Sequence, residues 1–178
     1  TGTITEGRTA LVSWTGPDDI KPLVHAAETH SSHPTARAFC EAIERELPDD
    51  LDNNTIESEV SQNAAGGLIG TVVRRRIVIG SSAFVRSHNV TIPEHLQSAE
   101  TSVIAATATP VLVALDGTCV AVAGFSDPIR RDVPAALSAL RELGWHVRIV
   151  SGDHPDVVAN VARSEERRVG KECFVPCR

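Results

Sequence analysis

The strongest patterning of apolar and polar positions lies between Thr118 and Asp153, which reads as strand, loop, helix, strand and polar loop. Cys119 to Phe125 is almost wholly apolar, as a strand covered by helices on both faces should be. Asp132 can cap the following helix, Pro134 suits its first turn, and Val133, Ala136, Leu137, Leu140 and Leu143 recur at helical spacing. Gly144 then stops it. His146 to Val150 is a second apolar strand ending in Ser151-Gly152-Asp153. This βαβ pattern predicts Ser126-Asp127-Pro128 and Ser151-Gly152-Asp153 at the carboxyl ends of neighbouring parallel strands, the edge at which α/β sheets bind ligands.

Upstream, Ala10 to Trp14 is a short strand and Gly16-Pro17-Asp18-Asp19 a turn or cap. Ile20 to His30 reads as a helix. Ser31 to Pro34 breaks it, and Thr35 to Leu47 reads as a second helix with Ala36, Phe39, Cys40, Ile43 and Leu47 on one face. From Glu57 the period changes: Glu57 to Gln62, Leu68 to Val73 and Ile77 to Ile79 predict an antiparallel meander with Arg74-Arg75-Arg76 at a tight turn. Those arginines suit a solvated turn better than a phosphate site. Ser81 to His88 and Pro93 to Thr101 are short helices, Pro110 to Leu115 is a strand, and Asp116-Gly117 is a turn between two strands.

Composition narrows the class. The 178 residues carry 42% apolar and 22% charged side chains, ordinary globular values. With 17 basic against 23 acidic residues the net charge is −6, which argues against nucleic acid as a partner. The four cysteines, Cys40, Cys119, Cys173 and Cys177, form no disulfide framework and no CxxC, in keeping with a reducing cytosol. The apolar stretch Val103 to Phe125 is interrupted by Pro110 and Asp116-Gly117 and does not span a membrane. Since the chain begins at Thr1 and contains no Met, it is expected to be a piece of a longer protein.

Several short motifs gain meaning together. Thr1-Gly2-Thr3-Ile4-Thr5-Glu6-Gly7 alone is a loop. His33 alone is a cap or surface residue, and Asp127 and Asp153 alone are loop or cap residues. Ala64 to Gly70 is no dinucleotide fingerprint, because it neither follows a parallel strand nor opens a helix. In this order, however, TGTITEG resembles the segment after the phosphorylated aspartate of P-type ATPases, DKTGT[IL]TxG, whose Asp and Lys would precede Thr1. Glu28 to Pro34 resembles the E-x-x-S-[SE]-H-P stretch of the heavy-metal branch, with Glu28 and His33 at the matching five-residue spacing. Ala65 to Gly70 resembles that family's GxG[VI]xG loop: Ala65 replaces the first Gly, and Gly67 and Gly70 match. Gly80-Ser81 stands where the family has Gly-Asn, Asp127-Pro128-Ile129-Arg130 resembles DPxR, and Ser151-Gly152-Asp153 resembles TGD. A KGAPE-like lysine motif is missing, as in the heavy-metal branch.

The resemblance spans residues 1 to 162 and implies an incomplete α/β phosphorylation (P) domain of HAD-like Rossmannoid type. An α+β nucleotide-binding (N) domain with an antiparallel sheet would interrupt it. The expected division is 1–7 and 119–163 for the P domain and 8–118 for the N domain. It implies ATP held through Glu28, His33, Gly67, Gly70, Gly80 and Ser81, where an imidazole can stack on adenine and bare glycines let the ligand lie against the backbone. Thr1, Thr3, Asp127, Arg130, Ser151, Gly152 and Asp153 would serve phosphate, Mg²⁺ and the domain junction in aspartyl-phosphate chemistry. The parent would export a heavy-metal cation, as in the copper-type pumps, with this region at the cytoplasmic face of the membrane. The piece itself is expected to be soluble and to bind ATP without hydrolysing it. A fragment of a soluble phosphohydrolase of the same superfamily, or a stand-alone nucleotide-binding regulatory module, are the alternatives. Finally, Arg163 to Cys173, RSEERRVGKEC, resembles the in-frame translation of a sequencing-library adapter, so 164–178 is expected to be a non-native tail.

Overall fold

Six strands build one antiparallel sheet in the order β1-β6-β5-β4-β3-β2. The computed structural model describes residues 3–46, 58–63 and 67–147. In chain order these are β1 (Ala10–Thr15), a 3-10 turn (Asp18–Ile20), α1 (Lys21–Glu28), α2 (Pro34–Glu46), β2 (Ser58–Asn63), β3 (Gly67–Val72), β4 (Arg75–Gly80), α3 (Ser82–Ser87), α4 (Glu94–Ala105), β5 (Thr109–Leu115), β6 (Thr118–Ser126) and α5 (Val133–Glu142). The expected mixed architecture with an antiparallel sheet is present.

One placement differs from the sequence reading. Cys119 to Phe125 was expected as a parallel strand of the P domain, yet β6 pairs antiparallel with both β5 and β1, from Leu115↔Thr118 to Ala10↔Ser126. The apolar run reports burial on two faces and says nothing about strand direction. Asp116 (φ 51°) and Gly117 (φ 86°) form the two-residue turn with left-handed φ at both positions, which joins antiparallel neighbours. The sheet therefore runs to Ser126. The second strand expected at His146 to Val150 falls mostly outside the described residues, as do the segment Ser151 to Asp153 and the tail.

Helices cover both faces of the sheet. On one, α1 and α2 bring Val24, Ala27, Phe39 and Ile43 against Leu68, Val72, Ile77, Ile79, Val113 and Ala121. On the other, Phe84 and Val85 of α3 with Leu96 and Val103 of α4 lie against Val78, Leu112, Ala114 and Val122. Each of the Val, Leu, Ile and Phe side chains among them contributes ~1.5–3 kcal/mol by leaving water. Among the described residues no helix is long and apolar enough to cross a membrane.

The arginine run braces two turns. Arg75 Nε donates to Asp116 Oδ2 at 2.8 Å, the Arg76 backbone N–H donates to Asp116 Oδ1 at 3.0 Å, and an Arg76 guanidinium N–H donates to the His88 carbonyl at 3.4 Å. The β3–β4 turn itself is Val73-Arg74, one residue earlier than expected, with φ of 48° and 60°. A β-branched residue is strained there, because its Cβ crowds the backbone. Val73→Asn together with Arg74→Gly should therefore stabilise the fold by ~1–2 kcal/mol. The measurement is the urea midpoint at unchanged denaturant slope.

Candidate functional site

Glu28 lies four residues after Val24, on the face of α1 that packs into the protein, and is only 8% exposed. Burial without a neutralising partner pushes its carboxyl up to about 7. Its surroundings are acidic or neutral. His25, three residues earlier in α1 and buried, directs Nε2 at Glu44 Oε1 (3.1 Å), and the Cys40 thiol is pushed up to about 12 by burial and by the charges of Glu28 and Glu44. This enclosure of Glu28 was not anticipated from the sequence, although the Val24–Glu28 spacing carried the signal.

The connection from α1 to α2 is tightly hydrogen-bonded. Ser31 N–H donates to the Glu28 carbonyl at 2.9 Å, and His33 N–H donates to Ser31 Oγ at 3.2 Å. His33 itself is exposed, with Nδ1 2.6 Å from Thr35 Oγ1, so one ring edge is held while the rest stays open to solvent. His30 Nε2 meets Ser58 Oγ at 2.8 Å and ties this turn to the start of β2.

Gly67 and Gly80 lie side by side on β3 and β4, next to the Leu68↔Ile79 pair. A Cβ on Gly67 would fall 2.2 Å from the Phe84 ring, and one on Gly80 would fall 2.7 Å from it. The space freed on that side by the missing side chains is thus filled by Phe84, a role the sequence reading did not assign. Gly70 is excluded from bearing a side chain by the Glu59 carbonyl, 2.3 Å away, and by Val60. Ser81 caps α3, its hydroxyl accepting from Phe84 N–H at 3.2 Å. The structure therefore joins Glu28 to His33, and Gly67 to Gly80 and Ser81. Among the described residues no hydrogen bond or ring contact links the two groups.

At the sheet end where β4 and β6 finish, two chain crossings run together. Thr5 and Ile129 form an antiparallel bridge, Glu6 N–H donates to the Pro128 carbonyl at 2.8 Å, and Arg130 N–H donates to the Ile4 carbonyl at 3.0 Å. Asp127 closes this ribbon: Oδ1 accepts from the Arg8 backbone N–H at 3.0 Å, while Oδ2 is buried with no partner. The Arg130 guanidinium reaches both oxygens of Asp132 at 3.2 Å, so Asp132 stands at the start of α5 without capping it by its side chain. Thr3 is exposed nearby, whereas Thr1, Ser151, Gly152 and Asp153 lie outside the described residues.

The chain is 31% identical over 173 residues to a copper-exporting P-type ATPase of Vibrio cholerae, covering 92% of this chain and 18% of that protein. It is 29% identical over 169 residues to copper-transporting ATPase 2 of Rhizobium meliloti, covering 92% and 20%. The chain thus spans about a fifth of the length of these relatives. Its fold is similar to the catalytic domain of the CPx-ATPase CopB-B (TM-score 0.66, 19% identity, 93% of this chain and 55% of that one). It is also similar in fold to the N-domain of HMA6, a copper-transporting P-type ATPase (TM-score 0.53, 21% identity, 67% and 99%). The haloacid dehalogenase-like hydrolase model matches residues 1–170, nearly the whole sequence, and the chain belongs to that family.

Proposed function

We propose that this chain is the nucleotide-binding and partial phosphorylation region of a heavy-metal-translocating P-type ATPase, working at the cytoplasmic face of a membrane. The observation that carries the reading is the Glu28–His33 turn. A buried carboxyl without a cationic partner and an open imidazole project from one hydrogen-bonded connection, within a sequence that matches copper pumps along nine-tenths of its length.

In this reading His33 stacks on the base of ATP and Glu28 meets its edge. Gly67, Gly70, Gly80 and Ser81 shape the strand ends nearby. Because β4 and β6 finish at the same end of the sheet, Gly80-Ser81 faces the side from which Asp127 leaves for the P domain. With β6 in the sheet, the N domain comprises residues 8–126, and the P domain residues 1–7 and 127–163. In a longer chain an aspartate ahead of Thr1 would attack the γ-phosphorus of ATP. The bond to the β,γ-bridging oxygen would break, ADP would leave, and water would later cleave the acyl phosphate. Thr1, Thr3, Ser151, Gly152 and Asp153 would hold the phosphoryl group, with Asp127 and Arg130 keeping the crossing in register.

Mg²⁺ would neutralise phosphate charge in that reaction. Among the described residues no group of three or more His, Cys, Asp or Glu is arranged to hold a metal. The transported cation belongs to the longer protein.

Titration of the 178-residue chain with ATP tests the reading. Binding of ATP without phosphate release is the expected result. His33→Ala should weaken binding by ~1–2 kcal/mol through loss of stacking and a hydrogen bond. Unchanged affinity in that variant would overturn the base assignment.

A further inference from the structure

We infer that His25 is a positioning residue of the nucleotide site. By donating from Nε2 to Glu44 it sets how α1 lies against α2, and with that where Glu28, the last residue of α1, stands relative to His33, just ahead of α2. The inference deepens the reading of the Glu28–His33 turn given above and rests on it.

For stability alone, His25 is a poor occupant of its place. It is 2% exposed, yet only one ring nitrogen is satisfied: Nε2 lies 3.1 Å from Glu44 Oε1, while Nδ1 is buried with no hydrogen-bond partner among the described residues. A carboxylate only accepts, so Nε2 carries the proton and donates. The orphaned Nδ1 has lost its water without a replacement, a loss that an aliphatic side chain of similar size would not suffer. The bond to Glu44 does not offset it, because the Glu44 side chain is 58% exposed and such pairs add little. A buried polar group that costs stability points to a role in geometry.

The position of His25 gives it that role. Among the described residues two side-chain-to-side-chain hydrogen bonds cross from α1 to α2: Lys21 Nζ to Glu46 Oε2 at 2.7 Å, near the start of α1, and His25 Nε2 to Glu44, in its last turn. The His25 carbonyl also accepts from Thr29 N–H at 3.0 Å and from the Cys40 thiol of α2 at 4.0 Å. The end of α1 that carries Glu28 is therefore fastened to α2 through one residue. His33 belongs to α2 instead: its carbonyl accepts from Arg37 N–H at 3.1 Å, and its Nδ1 meets Thr35 Oγ1. Release of His25 lets α1 tilt against α2, which displaces Glu28 relative to His33 without altering either side chain.

Calorimetric titration of the 178-residue chain with ATP, beside urea denaturation of the same variants, tests this. His25→Leu is expected to bind ATP about tenfold more weakly while its urea midpoint stays level or rises, an opposition that a merely structural residue would not show. His25→Gln, whose amide N–H stands in for Nε2–H, should recover most of the affinity. At the exposed end of the bond, where folding is not at stake, Glu44→Ala should weaken binding as His25→Leu does, whereas Glu44→Gln keeps an acceptor and should not. His33→Ala should lose less affinity in the His25→Leu background than in wild type, because the two act on one arrangement. The inference is overturned if Glu44→Ala binds ATP as tightly as Glu44→Gln, if affinity and urea midpoint fall together in His25→Leu and His25→Gln rescues neither, or if the His25→Leu and His33→Ala losses simply add. Should the wild-type chain bind no ATP, the nucleotide reading falls and this inference with it; should it bind, with His33→Ala weaker and the His25 and Glu44 variants unchanged, the reading stands and this inference alone falls.

Discussion

Phe84→Ala is expected to remove ~3–5 kcal/mol of folding stability, the largest single effect at the glycine pair. The ring is 5% exposed and packs onto Gly67 and Gly80, so its removal leaves a cavity between α3 and the β3–β4 strands that bare backbone cannot refill. Gly67→Ala should destabilise by ~1–3 kcal/mol for the opposite reason: its new methyl group would overlap a rigid ring. Combining the two should cost markedly less than their sum, because each relieves the other. Urea denaturation of the four proteins reads this directly. Strict additivity would mean that the glycines do not serve Phe84, and an unperturbed Gly67→Ala would return them to a purely ligand-facing role.

The second large effect concerns pH. Glu28 has an ordinary carboxylate range near 4.5 when unfolded and is pushed up to about 7 in the fold. Between those values the native state holds a proton that the unfolded chain releases. The contribution of Glu28 to stability is therefore greatest below about 4.5, declines as pH rises to about 7, and is flat above, with a total change on the order of 3 kcal/mol. Glu28→Gln abolishes that decline. At pH 8 the variant should be more stable than wild type by a similar amount, and near pH 4 the two should match. Paired thermal melts at pH 4, 6 and 8 check the sign. A variant less stable than wild type at pH 8 would show that the carboxylate is stabilised by a contact in the fold.

Much of the framework was legible because local rules govern it. The two helices around Pro34, the meander from β2 to β4, the Asp116-Gly117 turn and α5 with its stop at Gly144 (φ 81°) all follow from apolar period and turn chemistry. The break between α1 and α2 was legible too, since its hydrogen bonds, Ser31 N–H to the Glu28 carbonyl and His33 N–H to Ser31 Oγ, depend on neighbours in sequence. By contrast, Val73 at φ 48° in the β3–β4 turn follows no local preference; cross-strand register put it there.

What the sequence by itself determined, then, was the burial of Cys119 to Phe125, the positions of the helices and the motif order that links the chain to its relatives. Tertiary structure alone decided that this buried strand lies antiparallel between β1 and β5, because an apolar run is the same whichever way its partners point. It also decided that Phe84 occupies the space above Gly67 and Gly80, and that Asp127 fastens to a backbone N–H 119 residues away in the chain. The upward shift of the Glu28 carboxyl belongs to the same class. A carboxyl is ordinary in a sequence, and it becomes a proton-holding group only when α1, α2 and the sheet together take the water away.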